Sequence, residues 1–230
     1  RKRRLFTGLP KMILVSPSQW LADHLHKSFL SSYAIRVINN GVDLSKFRPA
    51  DSSHVKEKFK LSSKYIIGVA GIWNSRKGLE DFIKLRGLLK QDIDIVLVGL
   101  TPGQINKLPG GIIGIAKTDS IEEIAALYYG AEVFVNPTYV DNFPTVNIES
   151  LACGTPVITY DTGGSPEAID ENTGVVLKKG DITGIVKAID TVTRSANRYS
   201  TRLCRERAEL MFSAADRYTD YIKLYEELIS

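Results

Sequence analysis

Short apolar segments alternate with longer segments of mixed character over most of the chain. Residues 64–71 and 93–99 are almost continuously apolar, which is typical of strands buried on both faces of a parallel sheet. Residues 78–90 instead carry apolar side chains at helical spacing. Strands and helices alternate six times between residues 64 and 192. This pattern predicts an α/β fold, with a Rossmann-like six-stranded parallel sheet and helices on both of its faces.

The same pattern divides the chain into three parts. The strands predicted in the Rossmann-like domain are residues 64–71, 93–99, 111–116, 132–137, 156–160 and 174–177. The helices predicted there are residues 78–90, 121–130, 144–154, 165–170 and 182–192. A strand–helix–strand segment precedes them (11–16, 17–30 and 34–39), and two amphipathic helices follow (198–212 and 214–229). We therefore expect the end of another domain with a linker over residues 1–50, the Rossmann-like domain over 51–195 and C-terminal helices over 196–230.

Composition and charge exclude several classes of protein. Of the 230 residues, 43% are hydrophobic and 24% are charged, which excludes disorder, collagen and coiled coil as the main state. The net charge of +4 equals the charge of residues 1–4, so the remaining chain is balanced and no nucleic-acid partner is predicted. These four cations could hold the protein on an anionic membrane surface. An exposed interdomain strand or loop is favoured, because no amphipathic apolar segment accompanies them.

The cysteines and histidines offer no metal site. Cys153 and Cys204 make no disulfide framework and fit a reducing compartment, so we expect a cytoplasmic protein. If the basic residues 1–4 bind lipid, the protein would lie at the inner face of the membrane. His24, His26 and His54 all precede the Rossmann-like part, which excludes a histidine-based triad within it. No spacing suggests zinc, and no apolar run reaches the length of a membrane span. We predict neither a metal nor a cofactor.

Candidate chemistry lies in the loops that follow strands, since ligands of open α/β sheets bind at the carboxyl ends of the strands. The first such loop, residues 72–78, places Arg76 and Lys77 directly ahead of a helix N-terminus. Two cations and free backbone amides suit a phosphate there, although two solvated basic residues would give the same pattern. The loop contains no G-x-G-x-x-G motif, which argues against an NAD-dependent dehydrogenase or a methyltransferase.

A second loop, residues 138–150, contains two carboxylates. Asp141 precedes a helix, and Glu149 lies within the turns that follow. Carboxylates would repel a diphosphate but readily accept hydrogen bonds from sugar hydroxyls, so they favour a sugar or ribose ligand. A helix-capping aspartate and an ordinary surface glutamate would give the same pattern. Backbone amides expected to point into the cleft are those of Phe143, Thr145 and Val146.

Several segments together resemble a known enzyme family. The run VDNFPTVNIESLACGTPVITYDTGGSPEAI (140–169) resembles the signature of family-four retaining glycosyltransferases of the GT-B fold: an acid, seven residues, a glutamate, a small-residue helix end and a GTPV strand. Residues 36–49 resemble the interdomain segment of that family, 68–83 its glycine-plus-Lys-Gly phosphate motif, and 127–143 the strand leading into the acid. The resemblance covers about residues 12–192. It implies one half of a GT-B fold, the C-terminal donor-binding domain with the last segment of the N-terminal domain.

The resemblance also implies roles for individual residues. Lys77, with Arg76 beside it, would bind the donor diphosphate. Asp141 would contact the transferred sugar, and Glu149 would bind the ribose hydroxyls of the nucleotide. The backbone of residues 142–146 would hold the sugar and the β-phosphate, and the loop at residues 115–118 would flank the base. The substrate-binding residues expected on this basis are Gly71, Ile115, Lys117, Asn142, Phe143, Pro144, Thr145 and Val146.

The activity implied by the family is the transfer of a sugar from a nucleotide-diphosphate sugar to an acceptor, with retention of configuration and without a metal. A role in polysaccharide or glycoconjugate synthesis would follow. The acceptor, a sugar or a lipid-linked sugar, would bind mainly to the N-terminal domain, most of which this chain lacks. Because the chain also begins at Arg1, we expect a part of a longer protein. Such a part should bind a nucleotide diphosphate weakly and should not transfer sugar by itself.

Two positions depart from the family pattern. Ile72 follows Gly71 where the family usually has an arginine, and Asp141 replaces the commoner glutamate. Two other functions therefore stay open. A nucleotide-sugar epimerase could use the same two-domain architecture, although it would want more acid–base groups than Asp141 and Glu149. A non-catalytic nucleotide-binding domain is the other alternative, and Ile72 is its best support.

Overall fold

The computed structural model describes residues 2–195 and 197–229, and the strands in this part of the chain run parallel within two sheets. The strands are β1 (Ile13–Ser16), β2 (Ala34–Val37), β3 (Tyr65–Val69), β4 (Asp94–Val98), β5 (Ile112–Ile115), β6 (Val133–Asn136), β7 (Val157–Tyr160) and β8 (Gly174–Leu177). β1 pairs with β2, and the other strands form a six-stranded sheet in the order β5-β4-β3-β6-β7-β8. The predicted six-stranded parallel sheet is confirmed. Its order is that of a doubly wound Rossmann sheet, and it reverses between β3 and β6.

Helices connect the strands and close the chain. They are α1 (Lys2–Phe6), α2 (Gln19–His26), α3 (Ser53–Phe59), α4 (Leu79–Arg86), α5 (Pro102–Ile105), α6 (Ile121–Tyr129), α7 (Thr145–Ala152), α8 (Ile182–Arg194), α9 (Thr201–Phe212) and α10 (Ala214–Ile229). Short 3-10 turns occupy Ser75–Lys77 and Ser165–Ala168. Most helices are shorter than predicted, because capping residues such as Ser18 before α2 set their limits. α3 was not predicted, since only Val55 of its residues is buried and its pattern is polar.

The start of the chain differs from the prediction. A strand or loop was favoured for residues 1–4, but Arg3 and Arg4 lie in α1, while Arg1 lies outside the described residues. Lysine, arginine and leucine are good helix formers, which accounts for the difference. α1 also exposes Leu5 and Phe6 beside these cations. No helix among the described residues is long and apolar enough to cross a membrane.

The six-stranded sheet has a hydrophobic core on each face, as predicted. Alternate residues of β3 point to opposite faces, so that Ile67 belongs to the first core and Ile66 to the second. Helices α3, α6, α7 and α9 complete the first core, and α4 and α8 complete the second. The helical residues of the first core include Val55, Ala126, Ile148 and Ala208. Those of the second include Phe82, Leu85, Ile185 and Ile189. Burial on both faces explains why the strands read as continuous apolar runs.

The segment before the Rossmann-like domain is attached to that domain and to the C-terminal helices through backbone and side-chain hydrogen bonds. The amide of Val42 donates to the carbonyl of Phe212 at 2.8 Å, and the amide of Ala214 donates to the carbonyl of Val42 at 3.1 Å. The Glu167 carboxylate accepts from the amides of Gln19 and Trp20, both at 2.8 Å, and so caps α2. The Arg205 guanidinium joins this linker to α7 by donating to the carbonyls of Leu44, Phe47 and Ala152. The division into three parts stays a prediction.

Candidate functional site

The reversal of strand order places the loop after β3 beside the loop after β6. The amide of Tyr139, in the second loop, donates to the carbonyl of Arg76, in the first, at 2.7 Å. Gly78 has a φ of +75°, and a Cβ at this position would lie 2.4 Å from the carbonyl oxygen of Pro137. Only glycine fits both this conformation and this close approach. The crevice predicted from the switch-point rule is therefore formed by two loops in direct backbone contact.

An ion pair joins the two loops at the mouth of this crevice. Lys77 Nζ lies 2.5 Å from Asp141 Oδ2, although the two residues are 64 positions apart. The lysine side chain is 33% exposed and the aspartate side chain 18% exposed. Both groups were singled out from the sequence, and the fold brings them into contact. A half-exposed cation beside a carboxylate can bind a phosphate while the carboxylate accepts from hydroxyl groups.

Several other residues in and beside the first loop are open to solvent. Arg76 is exposed within the 3-10 turn, which Asn74 caps by accepting from the Arg76 amide at 2.9 Å. Gly71 is exposed, and a Cβ added there would meet no atom within 4 Å. Ile72 is 73% exposed, which is unusual for so large an apolar side chain. This region thus presents exposed backbone at Gly71, two cations, and an isoleucine where the resemblance leads us to expect an arginine.

Helix α7 begins at the floor of the crevice. Its first residue is Thr145, Pro144 precedes it, and none of the described side chains caps its N-terminus. The first amides of a helix have no partner within the helix and carry the positive end of its dipole. Asn142 and Thr145 are exposed and Val146 is half-buried, whereas Pro144 is buried. Phe143 is buried as well, with its ring 5.7 Å from that of Phe212, so its side chain is not available to a ligand.

Glu149 lies one turn further along α7 and is half-buried. Tyr128, on α6, donates its hydroxyl to Glu149 Oε2 at 3.2 Å. Burial raises the pKa of the Glu149 carboxyl, while hydrogen bonds from Tyr128 and Thr145 act in the opposite direction. Burial, with Glu149 nearby, also raises the pKa of the Cys153 thiol to about 12. The thiol is therefore protonated at neutral pH, and the carboxyl is the group in this region that can change charge.

The loop after β7 supports the backbone of Asp141. The amide of Gly164 donates to the Asp141 carbonyl at 3.1 Å, and a Cβ on Gly163 would lie 1.8 Å from the same oxygen. Beneath this contact Asn147 donates to Ser165 Oγ at 3.0 Å and accepts from Asn136 at 2.8 Å. All three of these polar side chains are buried. Sequence reasoning missed this network; the signal was the occurrence of asparagines and a serine among otherwise apolar core positions.

A buried carboxylate braces the same loops from the other face of the sheet. Asp81, in the first turn of α4, is buried and accepts from the hydroxyls of Tyr139 at 3.0 Å and Tyr160 at 2.7 Å. Burial, reinforced by Asp81, raises the pKa of both tyrosines, so both stay hydrogen-bond donors. Asp81 therefore links the helix after the first loop to the second loop and to β7. No sequence signal pairs these three residues.

The residues predicted near the base lie at the far edge of the sheet. Ile115 ends β5, which β4 separates from β3. Its side chain is buried in the core, and its carbonyl accepts from the amide of Gly99 at 2.9 Å. Lys117, two residues later, is exposed. The Ile115 side chain is therefore not available to a ligand, and a role of the loop beyond it in flanking the base stays a prediction.

Two further features concern ligands other than the predicted one. Over the described ranges, no group of three His, Cys, Asp or Glu side chains is arranged to hold a metal ion.

A cavity of about 370 Å³ lies at the opposite, amino-terminal edge of the sheet, between the ends of α4 and α8. Leu88, Ile93 and Ile189 line it together with Lys64 and Asp190 at its rim. It is remote from the crevice and shares none of the residues predicted from the sequence.

The fold is that of one half of a GT-B glycosyltransferase. Sucrose-phosphate synthase from Thermosynechococcus elongatus superposes with a TM-score of 0.85 at 23% identity, over 99% of this chain and 60% of that chain. HepE of Anabaena, solved in complex with UDP and glucose, gives a TM-score of 0.80 at 16% identity, over 93% of this chain and 62% of that chain.

Sequence comparison gives the family directly. The family described as Glycosyl transferases group 1 matches residues 63–195, and this chain belongs to it. A D-inositol 3-phosphate glycosyltransferase of Arthrobacter sp. (strain FB24) is 28% identical over 214 residues, which are 83% of this chain and 50% of that protein. The corresponding enzyme of Salinispora tropica is 25% identical over 85% of this chain and 46% of its own length. The chain thus spans about half the length of these relatives.

Proposed function

We propose that the crevice between β3 and β6 binds a nucleotide-diphosphate sugar, and that the chain is the donor-binding half of a glycosyltransferase. The observation that carries this proposal is the Lys77–Asp141 pair, 2.5 Å apart beside the N-terminus of α7. It combines groups for a diphosphate with a group for sugar hydroxyls at one switch point. Family membership and the UDP and glucose bound by HepE support the same ligand class.

The diphosphate would lie between Lys77, Arg76 and the first amides of α7. These groups are positive, and once Lys77 has exchanged Asp141 for the diphosphate they would stabilise the charge that develops on the leaving group. Asp141 would then exchange its bond to Lys77 for sugar hydroxyls, and Glu149 would accept from the ribose. Because the cations come from the protein itself, we propose that donor binding needs no metal.

The finer points of the reaction are part of the same proposal. Retention of configuration and a role in polysaccharide or glycoconjugate synthesis follow from the resemblance to family-four enzymes. The acceptor, a sugar or a lipid-linked sugar, would bind to the other half of the protein, since this chain spans 50% of the Arthrobacter relative. Attachment to an anionic membrane through α1 would bring a lipid-linked acceptor close; the exposed Leu5 and Phe6 beside Arg3 and Arg4 suit that role.

One observation favours a second function, a nucleotide-binding domain without catalysis. Ile72 is 73% exposed at the position where the family usually has an arginine, so one cation of the phosphate site is absent there. Arg76 is exposed and close enough in sequence to take its place. A longer protein that binds the nucleotide sugar but neither transfers nor hydrolyses it would support the non-catalytic alternative.

Thermal unfolding with UDP, GDP and ADP, each in EDTA, tests the proposed ligand. At ten times its Kd, a nucleotide should add about 1.4 kcal/mol, which corresponds to roughly 3–6 °C in Tm. Lys77→Ala should remove this gain, whereas the exposed Lys84→Ala on α4 serves as the matched control and should keep it. An unchanged Tm with all three nucleotides would contradict the proposal for this chain, as would an equal loss in both variants.

A further inference from the structure

The carboxylate of Glu149 is held from inside the fold by a tyrosine that solvent does not reach. Tyr128 is 0% exposed, and its hydroxyl donates to Glu149 Oε2 at 3.2 Å across the contact between α6 and α7. A second hydrogen bond to the carboxylate comes from Thr145, in the first turn of α7. The carboxylate is therefore oriented by one donor from the core and one from its own helix.

Tyr128 is itself fixed in place. Its ring packs edge-on against Phe134 with centroids 5.5 Å apart, and its carbonyl accepts from Thr155 Oγ1 at 2.6 Å. Burial, together with Glu149, raises the pKa of Tyr128, so the hydroxyl stays protonated and acts as the donor in this bond. A rigid donor of this kind holds one carboxylate oxygen at a fixed point.

We infer that Tyr128 is a positioning residue for nucleotide binding, and that its hydroxyl fixes one oxygen of Glu149 so that the other is presented to the ribose hydroxyls. This inference rests on the proposed function, in which Glu149 binds the ribose. A hydroxyl donor favours the ionised form of a carboxylate, and an ionised carboxylate accepts hydrogen bonds more strongly than a protonated one. Tyr128 would thus act on both the geometry and the charge of Glu149.

A tyrosine that only fills the core would show neither effect, and Tyr65 provides the matched control. Tyr65 is also 0% exposed, and its hydroxyl donates to the carbonyl of Leu127 at 2.8 Å, one residue before Tyr128. It makes no hydrogen bond to Glu149 in the described structure. Tyr128→Phe and Tyr65→Phe therefore each remove one buried hydroxyl and its hydrogen bond from the same core, and only the first acts on the carboxylate.

Among the residues that the structure describes, few other ionisable groups face Glu149. Tyr128 approaches it from α6, and Cys153 follows it at the end of α7. Cys153 in turn faces Arg205 of α9. The pKa of the tyrosine and that of the thiol are both raised, so neither group titrates between about pH 4 and pH 8. A pH dependence of the site in that range that responds to Tyr128→Phe is then assigned to Glu149.

The experiment compares the whole chain with its Tyr128→Phe and Tyr65→Phe variants. The Glu149 carboxyl pKa is measured by ¹³C NMR, with Glu149→Gln to assign the resonance. The Kd values of UDP, GDP and ADP are measured by calorimetry at several pH values. Tyr128→Phe should raise the Glu149 pKa and weaken nucleotide binding about three- to tenfold near pH 6, and less at higher pH where the carboxyl is ionised anyway. Tyr65→Phe should change neither quantity.

The inference is overturned if Tyr128→Phe and Tyr65→Phe give the same Glu149 pKa and the same Kd. Failure of the proposed function would look different. In that case the unmodified chain would bind none of the three nucleotides, while Tyr128→Phe would still raise the Glu149 pKa. The NMR measurement would then uphold the coupling of the two side chains, and the ribose role of Glu149 would be rejected together with the proposed function.

Discussion

Lys77 and Asp141 neutralise each other across the crevice, with Nζ 2.5 Å from Oδ2. One residue lies between β3 and α4 and the other between β6 and α7. Without a ligand, the cation expected to hold a phosphate is thus occupied by the carboxylate expected to hold a sugar. Binding of a nucleotide sugar would replace this one contact by two, Lys77 to the diphosphate and Asp141 to hydroxyls.

This exchange predicts opposite effects of Asp141→Asn on two ligands. The bare nucleoside diphosphate should bind about two- to fivefold more tightly, because Lys77 no longer has to leave a partly exposed ion pair. The nucleotide sugar should lose the additional affinity that its sugar provides. Calorimetric titration with both ligands measures the difference. If Asp141→Asn weakened the bare diphosphate as much as Lys77→Ala does, the assignment of Asp141 to the sugar would be wrong.

Two glycines of the first loop should respond differently to the same substitution. Gly78→Ala should destabilise the fold by about 2 kcal/mol or more, because Gly78 has a φ of +75° and a Cβ would lie 2.4 Å from the Pro137 carbonyl oxygen. Gly71→Ala should leave stability nearly unchanged, since its Cβ would meet no atom within 4 Å. If Gly71 faces the ligand as expected, its variant should nevertheless bind nucleotide more weakly.

Urea unfolding and calorimetry on both glycine variants check this pair of predictions. A folded Gly71→Ala chain with unchanged nucleotide affinity would remove Gly71 from the binding surface. Equal stability of Gly78→Ala and the unmodified chain would show that the two loops are not held in the close contact described here.

The raised pKa of Glu149 makes stability depend on pH in a defined direction. A carboxyl whose pKa is higher in the folded than in the unfolded chain destabilises the fold once pH rises above the unfolded value, 4.5. Below that value both states are protonated and the penalty disappears. Glu149→Gln should therefore be more stable than the unmodified chain near pH 7, and this gain should shrink as pH falls toward about 4.5.

Thermal unfolding over this pH range, with the exposed Glu80→Gln on α4 as control, measures the effect. The control should show no such pH-dependent gain. If Glu149→Gln were less stable than the unmodified chain near neutral pH, the hydrogen bonds to the ionised carboxylate would outweigh the cost of burying its charge, and the prediction would be wrong. The same variant should bind nucleotide more weakly, because an amide accepts hydrogen bonds from ribose hydroxyls less strongly than a carboxylate.

The buried Asp81 should contribute to stability through its two tyrosines. Tyr160→Phe should destabilise the chain by about 1.5–3 kcal/mol, the range for hydrogen bonds to charged groups. Tyr218→Phe, at an exposed position on α10, is the control and should have an effect within about 0.5 kcal/mol. Unfolding in urea gives both values. Equal effects of the two substitutions would show that the Asp81 contact does not stabilise the fold.

Much of the fold could be predicted from local patterns. Strands such as β7 were located to within one residue, because burial on both faces leaves a distinct apolar run. α3 was missed because one buried side chain, Val55, is too weak a helical signal. The switch-point rule located the loops of Arg76, Lys77 and Asp141, since it depends only on the alternation of strands and helices.

The contacts within the site required the three-dimensional structure. The pairing of Lys77 with Asp141 depends on strand order, which the alternation of elements does not determine. The bonds of Asp81 to Tyr139 and Tyr160 join three separate elements, and nothing local marks them. The burial of the Ile115 side chain was likewise not visible, because a short edge strand such as β5 has too few residues to show which face is covered.

Nucleotide binding without a metal is a separate prediction. Lys77, Arg76 and the N-terminus of α7 supply the positive charge, so Kd measured in EDTA and in Mg²⁺ should agree within about twofold. Calorimetry in the two buffers makes the comparison. Binding that is many times tighter with Mg²⁺ would show that the protein groups alone do not neutralise the diphosphate.

The central claim is the location of the nucleotide, and an NMR titration of the ¹⁵N-labelled chain tests it most directly. The nucleotide that raises Tm is added while backbone amide shifts are followed. The account predicts that the largest shifts lie at Gly71, Lys77, Gly78, Thr145 and Val146, around the crevice between β3 and β6. Shifts concentrated instead around the cavity at the opposite edge of the sheet, at Lys64, Leu88 and Asp190, would contradict it.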